Sequence, residues 1–285
     1  MNIGFIGAGK VGFSLGRFML TKNIRVIGYY SLHAESAIEA AEFTHTDYFS
    51  SIEELSDESD VIFITVPDGA ICSVYEQIKN RITGKYLCHC SGLMTASEAF
   101  PDIEKYGAYG CSIHPLFPIS SKYDTYRELQ DAFFCLENGD NSGKNETESV
   151  IFSLLRQMGV KLLRIDAHNK AKYHAACAIA SNLVCGIEQI AMDLLGECGF
   201  DAEESLGALR PLILSNTSHI LRDGPQKALT GPVQRKDAGT VKKHLDCLEG
   251  RNREIYRLLS KQLLMMTDCN NNEYGYKEIE ILLSK

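Results

Sequence analysis

Between residues 2 and 165, short apolar runs alternate with stretches whose apolar side chains recur every three to four positions. The runs predict strands over 2–6, 25–30, 60–66, 86–90, 107–113, 131–136 and 160–165. The amphipathic stretches predict helices, among them 34–43, 70–82 and 146–158, with a polar surface turn at 140–145. Such alternation makes a parallel sheet covered on both faces, because each parallel connection is long enough to hold a helix. Beyond Asp166 the strand signal ends, and helices are predicted over 169–197, 201–222, 237–248, 250–267 and 275–284. Residues 175–195 are apolar nearly all round, the pattern of a helix covered on several sides. They are expected at the centre of a helical second domain and at a dimer interface. Asp201 is expected to cap the next helix, Pro211 to kink it and Gly224-Pro225 to end it. The fold class is therefore α/β: a doubly wound parallel sheet over 1–166, then an all-α domain over 167–285.

The first strand runs into Gly7-Ala8-Gly9-Lys10-Val11-Gly12, which opens a helical pattern at Val11, Leu15, Phe18 and Met19. Strand, glycine turn and helix in that order form the Rossmann-type dinucleotide site. Gly7 permits the tight turn, Gly9 lets backbone approach a pyrophosphate, and Gly12 lets helix and strand pack closely. The phosphates sit on the free N–H groups of the helix start, including those of Lys10 and Val11. The second strand ends in Tyr30-Ser31-Leu32-His33, without the acid that binds the ribose of NAD. A missing carboxylate removes repulsion against a 2′-phosphate, and Ser31 and His33 can donate to one. NADP is the expected cofactor.

Composition narrows the rest. The 285 residues include 45% hydrophobic and 23% charged positions, and the formal net charge is −8. With no basic tract, a nucleic-acid partner is not expected. The ten cysteines lie mostly in apolar strands and helices and form no CxxC, so reduced thiols in a cytoplasmic protein are expected. No uninterrupted apolar run nears the ~18 residues of a membrane helix, and with the first strand at residue 2 a signal peptide is not expected.

Ligands of open parallel sheets collect at the carboxyl ends of strands. Besides the glycine turn, three such ends stand out: Val66-Pro67-Asp68, His89-Cys90-Ser91-Gly92 and Ser112-Ile113-His114-Pro115. Asp68 also reads as a helix cap, and the other two also read as ordinary turns. Cys88, His89 and Cys90 do not predict a metal, because neighbours on a strand face opposite ways. On the long helix, Lys170, His174, Cys177 and Ser181 form one stripe, with Asn182 at its edge. This stripe is either a polar seam or a proton donor with its helpers. In the turn 229–237, Arg235 has the fork that clamps a carboxylate, and Asp237 reads as a helix cap.

Taken with Tyr173-His174-Ala175-Ala176, Ser181-Asn182, Thr230-Gly231-Pro232, Thr240 and His244, these motifs resemble a family across the whole chain. It is the group of Rossmann-like NADP oxidoreductases with an all-helical C-terminal domain of unassigned function, 6-phosphogluconate-dehydrogenase-like in fold. This group is similar to ketopantoate reductases and pyrroline-5-carboxylate reductases. The resemblance implies an NADPH-dependent reductase of a small 2-oxo acid, with pantothenate biosynthesis as its setting. Ketopantoate reductases carry a catalytic lysine on the long helix, with asparagines four and eight residues later; in register here stand His174, Ala178 and Asn182. His174 is the expected proton donor, with Lys172 as a neighbouring candidate, and Asn182 orients the substrate. Arg235, Ser91, His114 and Thr230 are expected to bind the substrate, with Arg235 on its carboxylate. Gly7, Gly9, Lys10, Val11, Gly12, Ser31, His33, Val66, Pro67 and Asp68 are expected around the cofactor. No metal is expected, and a homodimer through the helical domain is. The alternatives are a cyclic imine reductase and a non-catalytic NADP-binding sensor.

Overall fold

The computed structural model describes residues 1–138, 146–267 and 274–284; the turn expected at 140–145 lies outside them. The chain divides into two compact units, Met1–Ala180 and Ser181–Lys285. Residues 167–180 thus go with the sheet and not, as expected, with the helices that follow.

The first unit is one eight-stranded sheet of order β3-β2-β1-β4-β5-β6-β7-β8. Its strands are β1 (Ile3–Ile6), β2 (Val26–Tyr30), β3 (Asp47–Tyr48), β4 (Val61–Ile64), β5 (Tyr86–His89), β6 (Tyr109–Leu116), β7 (Phe133–Asn138) and β8 (Lys161–Arg164). All neighbours pair in parallel except β6 and β7. The crossovers carry helices α1 (Lys10–Thr21), α2 (Ala34–Thr44), α3 (Ile52–Glu58), α4 (Asp68–Ile78), α5 (Ala96–Ala99) and α6 (Glu146–Met158), and α7 (Lys170–Ala180) closes the unit. Strand alternation divides the core into two layers. Ile3, Phe5, Val61 and Phe63 face one layer, while Ile6, Ile62 and Ile64 face the other. Phe5 stacks on Tyr29 and on Phe63, its register partners on either side, with ring centroids 5.3 Å apart in both pairs.

Two strands differ from expectation. β3 is two exposed residues at the sheet edge, too short and polar to leave an apolar pattern. β6 runs three residues past 113, through Pro115. Its pairing with β5 ends at His89↔Ser112, so the missing N–H of Pro115 removes nothing from that ladder. The extension carries His114 beyond the carboxyl end of β5.

The second unit holds α8 (Asn182–Glu197), α9 (Ala202–Asp223), α10 (Pro225–Ala228), α11 (Gly231–Gln234), α12 (Ala238–Cys247), α13 (Gly250–Met266) and α14 (Tyr274–Ser284). Asp201 caps α9 in a reciprocal capping box with Glu204, and Asp237 caps α12 by accepting from the Thr240 N–H at 2.9 Å. α9 runs on through Pro211, with Gly224 at its end. Val233, Val241, Leu245, Ile279 and Leu283 make the core of α11–α14. The helix expected over 169–197 is broken at Ser181, whose backbone leaves the helical region at φ −128° and ψ −82°. The burial expected for 175–195 is also absent within the chain: α8 has no buried residue, and Leu183, Val184 and Ile187 are exposed. An apolar surface shows that a helix needs cover; it does not show that the same chain provides it. The stretch 167–197 is also long and apolar enough, by length and composition alone, to cross a membrane.

Candidate active site

The glycine turn is built as a phosphate cradle. Gly7 sits at φ +105°, with its N–H donating to the Tyr30 carbonyl at 2.8 Å, and a Cβ there would lie 2.9 Å from the Thr65 backbone. Added to Gly12, a Cβ would collide with the Gly7 carbonyl and the Thr65 hydroxyl. Gly9, the N-cap of α1, faces open space instead. Gly7 and Gly12 thus make a tight turn and a close helix–strand contact, and the open space at Gly9 leaves room for the pyrophosphate expected there. Thr65, which sequence reasoning missed, ties the turn down: its hydroxyl donates to the Gly7 carbonyl at 2.7 Å. Lys10 is exposed and Val11 half-buried at the start of the helix. Ser31 and His33 follow β2, and His33 is the exposed N-cap of α2, with no side-chain capping bond. The residues present therefore fit a dinucleotide with a 2′-phosphate.

Val66, Pro67 and Asp68 end β4 as expected, but Pro67 is the cap of α4 and Asp68 its first residue. The Asp68 carboxylate accepts from the Ser91 hydroxyl at 2.6 Å. Ser91 in turn accepts from the N–H groups of Leu93 and Met94 at 3.2 and 2.9 Å. One donor and two lone pairs are all a hydroxyl has, so Ser91 holds the loop after β5 in shape and has no capacity left for a substrate.

That loop brings Gly92 against two histidines. A Cβ on Gly92 would stand 2.6 Å from His174 Cδ2 and 3.0 Å from His114 Cε1 and Nε2. The two imidazoles lie 6.4 Å apart, nearly edge to face. His114 Nδ1 is 2.7 Å from the Tyr173 hydroxyl. Burial first, then the charges of His174 and Lys170, push His114 down to about 4, against Asp68. His114 is thus neutral at pH 7. Burial raises the Tyr173 phenol well above its ordinary value, with the nearby thiols of Cys135 and Cys177 adding to the effect.

Beneath these rings Lys170 and Glu137 form an ion pair at 3.5 Å, and both are almost wholly buried. Glu137 Oε2 also accepts from the Ala96 N–H at 2.8 Å. One carboxylate thus joins β7, the start of α5 and the first turn of α7. Burial lowers the Lys170 pKa, although Glu137 opposes the shift. The stripe expected on the long helix therefore splits: Lys170 is a buried anchor, His174 and Cys177 are half-buried, and Ser181 lies at the break. Lys172 is exposed. Asn182, Thr230 and Arg235 belong to the second unit, where all three are exposed, and the roles expected of them rest on the sequence. On β5, Cys88 and His89 face opposite layers, and the Cys88 and Cys111 sulfurs stand 3.4 Å apart.

Residues 2–91 match the family model described as NADP oxidoreductase coenzyme F420-dependent, and residues 133–263 match the domain of unknown function DUF2520. The chain joins an NADP-oxidoreductase domain to a DUF2520 domain. It is an oxidoreductase, and its cofactor is NADP. No curated protein matches it in sequence. Among solved structures it is similar to protein TM1727 from Thermotoga maritima, with a TM-score of 0.72, 23% identity and coverage of 93% of this chain and 98% of that one. It is also similar to a pyrroline carboxylate reductase from Plasmodium falciparum with NADP bound (TM-score 0.56, 17% identity, coverage 100% and 96%). A third likeness is to a Streptomyces aurantiacus imine reductase (TM-score 0.61, 12% identity, coverage 100% and 92%). At such identities the likeness is one of fold, a sheet of Rossmann type followed by helices.

Proposed function

We propose that this oxidoreductase is an NADPH-dependent reductase of a small 2-oxo acid, of the ketopantoate reductase (2-dehydropantoate 2-reductase) type. The observation that carries the reading is the meeting of His114, Tyr173 and His174 around Gly92, at the carboxyl edge of the sheet that also bears the phosphate turn. Reducing a carbonyl takes a hydride at carbon and a proton at oxygen. NADPH, when bound, supplies the hydride. His174, half-buried beside Gly92, supplies the proton as general acid. The sequence resemblance assigns the substrate carboxylate to Arg235, substrate binding to Thr230 and substrate orientation to Asn182. The ketopantoate assignment itself rests on the sequence resemblance, whose helix register keeps Asn182 and departs from the pattern at His174 and Ala178.

A cyclic imine is the second substrate class, because two of the fold neighbours are named for imine substrates. The test follows NADPH consumption with ketopantoate, other 2-oxo acids and cyclic imines, each repeated with NADH. Fastest turnover is expected with a 2-oxo acid and NADPH. Turnover confined to imines replaces the first reading with the second, and an NADH preference refutes the role given to Ser31 and His33.

We also propose a cytoplasmic homodimer, with neither membrane nor nucleic acid as partner. α8 exposes Leu183, Val184 and Ile187 on neighbouring turns, and only Ser205 is buried in the 22 residues of α9. Helices stripped of cover gain little stability alone, whereas a second copy covers both at once. A bilayer fits less well. The apolar stretch 167–197 is broken at Ser181 and its first half is pinned by the buried Lys170–Glu137 pair, which leaves the 16 residues of α8, about 24 Å at 1.5 Å each, against a hydrocarbon core of about 30 Å. It also carries Glu188, Asp193 and Glu197. Unbonded thiols such as Cys88 and Cys111 favour a reducing compartment. Sedimentation of a monomer at micromolar concentration would refute the dimer.

A further inference from the structure

We propose that His114 is a second catalytic residue, a neutral imidazole whose Nε2–H polarises the substrate C=O or C=N bond, and that Tyr173 is the positioning residue that fixes this tautomer. The inference rests on the reductase reading above.

The hydrogen bond between Tyr173 and His114 Nδ1, at 2.7 Å, admits two arrangements. Either the phenol donates and Nε2 carries the ring proton, or Nδ1–H donates and Nε2 is bare. The neutral state of both groups permits either, and the choice of acceptor for the phenol hydrogen decides for the first. The phenol keeps its proton, being pushed up by burial. The thiols of Cys135 and Cys177 beside it are weak acceptors, so the imidazole nitrogen is the stronger taker of its hydrogen. A neutral ring has one acceptor nitrogen to offer, and His114 is held neutral by burial and by the charges around it. The charged and titratable groups that act on it are His174 and Lys170 on α7, Asp68 on α4 and His89 on β5, and Cys135 is its register partner on β7.

Nε2 then faces Gly92, at the carboxyl edge where a ligand of this sheet collects. A side chain at residue 92 would block it. A neutral imidazole gives a hydrogen bond without giving up the proton, so His114 stabilises charge growing on the substrate oxygen or nitrogen while proton delivery stays with His174. The ordering is preset: strand β6 holds the ring, Tyr173 holds its tautomer, and the Lys170–Glu137 pair holds the helix turn that carries Tyr173.

The test begins with the protein free of substrate. Nitrogen-15 NMR of the histidine rings is expected to show His114 with Nδ1 bare and Nε2 protonated from pH 8 down to about pH 5. In Tyr173→Phe the tautomers should mix. An Nδ1–H tautomer in the parent protein, or an unchanged tautomer in Tyr173→Phe, overturns the assignment whatever the substrate is. On an accepted substrate, His114→Leu should lose about 10²–10³-fold in kcat, the usual effect of removing one such donor. His114→Gln, which keeps an N–H near the Nε2 position, should recover about tenfold of that loss. Equal turnover in the two variants and the parent overturns the donor role. A protein that shows the expected tautomer and yet reduces nothing overturns the reductase reading and leaves the Tyr173 assignment standing.

Discussion

Gly92→Ala is the most economical probe of the site, because it adds one methyl group between two rings. Carbon atoms in good contact stand about 3.5–4.0 Å apart. The new Cβ would lie 2.6 Å from His174 Cδ2 and 3.0 Å from two atoms of the His114 ring. His174 must therefore retreat by about 1 Å and His114 by about half that. His114 cannot retreat freely, since its other nitrogen is bonded to Tyr173. Overpacking of this kind costs about 1–3 kcal/mol, or about 2–4 °C in Tm for each kcal/mol in a protein of this size. The larger effect falls on rate, because a misplacement of about 1 Å costs about 10²-fold. NADPH affinity should be unchanged, since the phosphates sit on the turn after β1. Initial rates, calorimetric titration of NADPH and a thermal melt separate these effects. Normal turnover would show that the rings yield without consequence. A parallel loss of NADPH affinity would show that Gly92 touches the cofactor. Either result refutes the geometry argued for the site.

Four further outcomes are expected. Gly9→Asp puts a charged side chain into the open space before α1 and should abolish NADPH binding with the melt unchanged; retained affinity excludes the phosphate site. His174→Ala should lower kcat by ~10²–10⁴, the range of general acid catalysis, while the exposed Lys172→Ala does little; the reverse pattern makes a lysine the donor. Lys170→Met leaves Glu137 buried without its cation and should cost about 3–5 kcal/mol, with most of it recovered in the double variant Lys170→Met/Glu137→Gln; denaturant titrations that show the single and double variants equally stable refute the pair. His89 and His114 are held neutral by burial above all, at about 3 and about 4, whereas the unfolded chain protonates these rings near pH 6.5. The unfolded state then binds more protons as pH falls from 6.5 toward 4, so stability should fall over that window, by up to ~1.4 kcal/mol per pH unit for each ring. Denaturation midpoints that stay flat between pH 7 and 5 refute it.

What the sequence made legible is what local pattern determines. The order of strands and helices, the tight turn at Gly7 and the caps at Asp201 and Asp237 all depend on residues within a few positions of one another. The site beyond the phosphate turn depends on residues far apart in the chain. Glu137 meets Lys170 across 33 positions and His114 meets Tyr173 across 59, and no periodicity reports such meetings. Lys170 illustrates the limit. In the sequence it heads a polar stripe with His174, and a lysine there reads as solvated or catalytic. The first turn of α7 lies where β7 ends, so the same side chain is buried on Glu137 and becomes the anchor for its neighbours. A lysine at the position of His174 would stand beside this buried cation, and the two like charges would depress each other's protonation. A histidine, unlike a lysine, has a neutral form that still carries a ring N–H, and that form needs no second carboxylate. The buried Lys170–Glu137 pair thus sets a cation one helical turn before His174 and takes it out of reach of solvent, and a lysine at position 174 is the residue this arrangement disfavours.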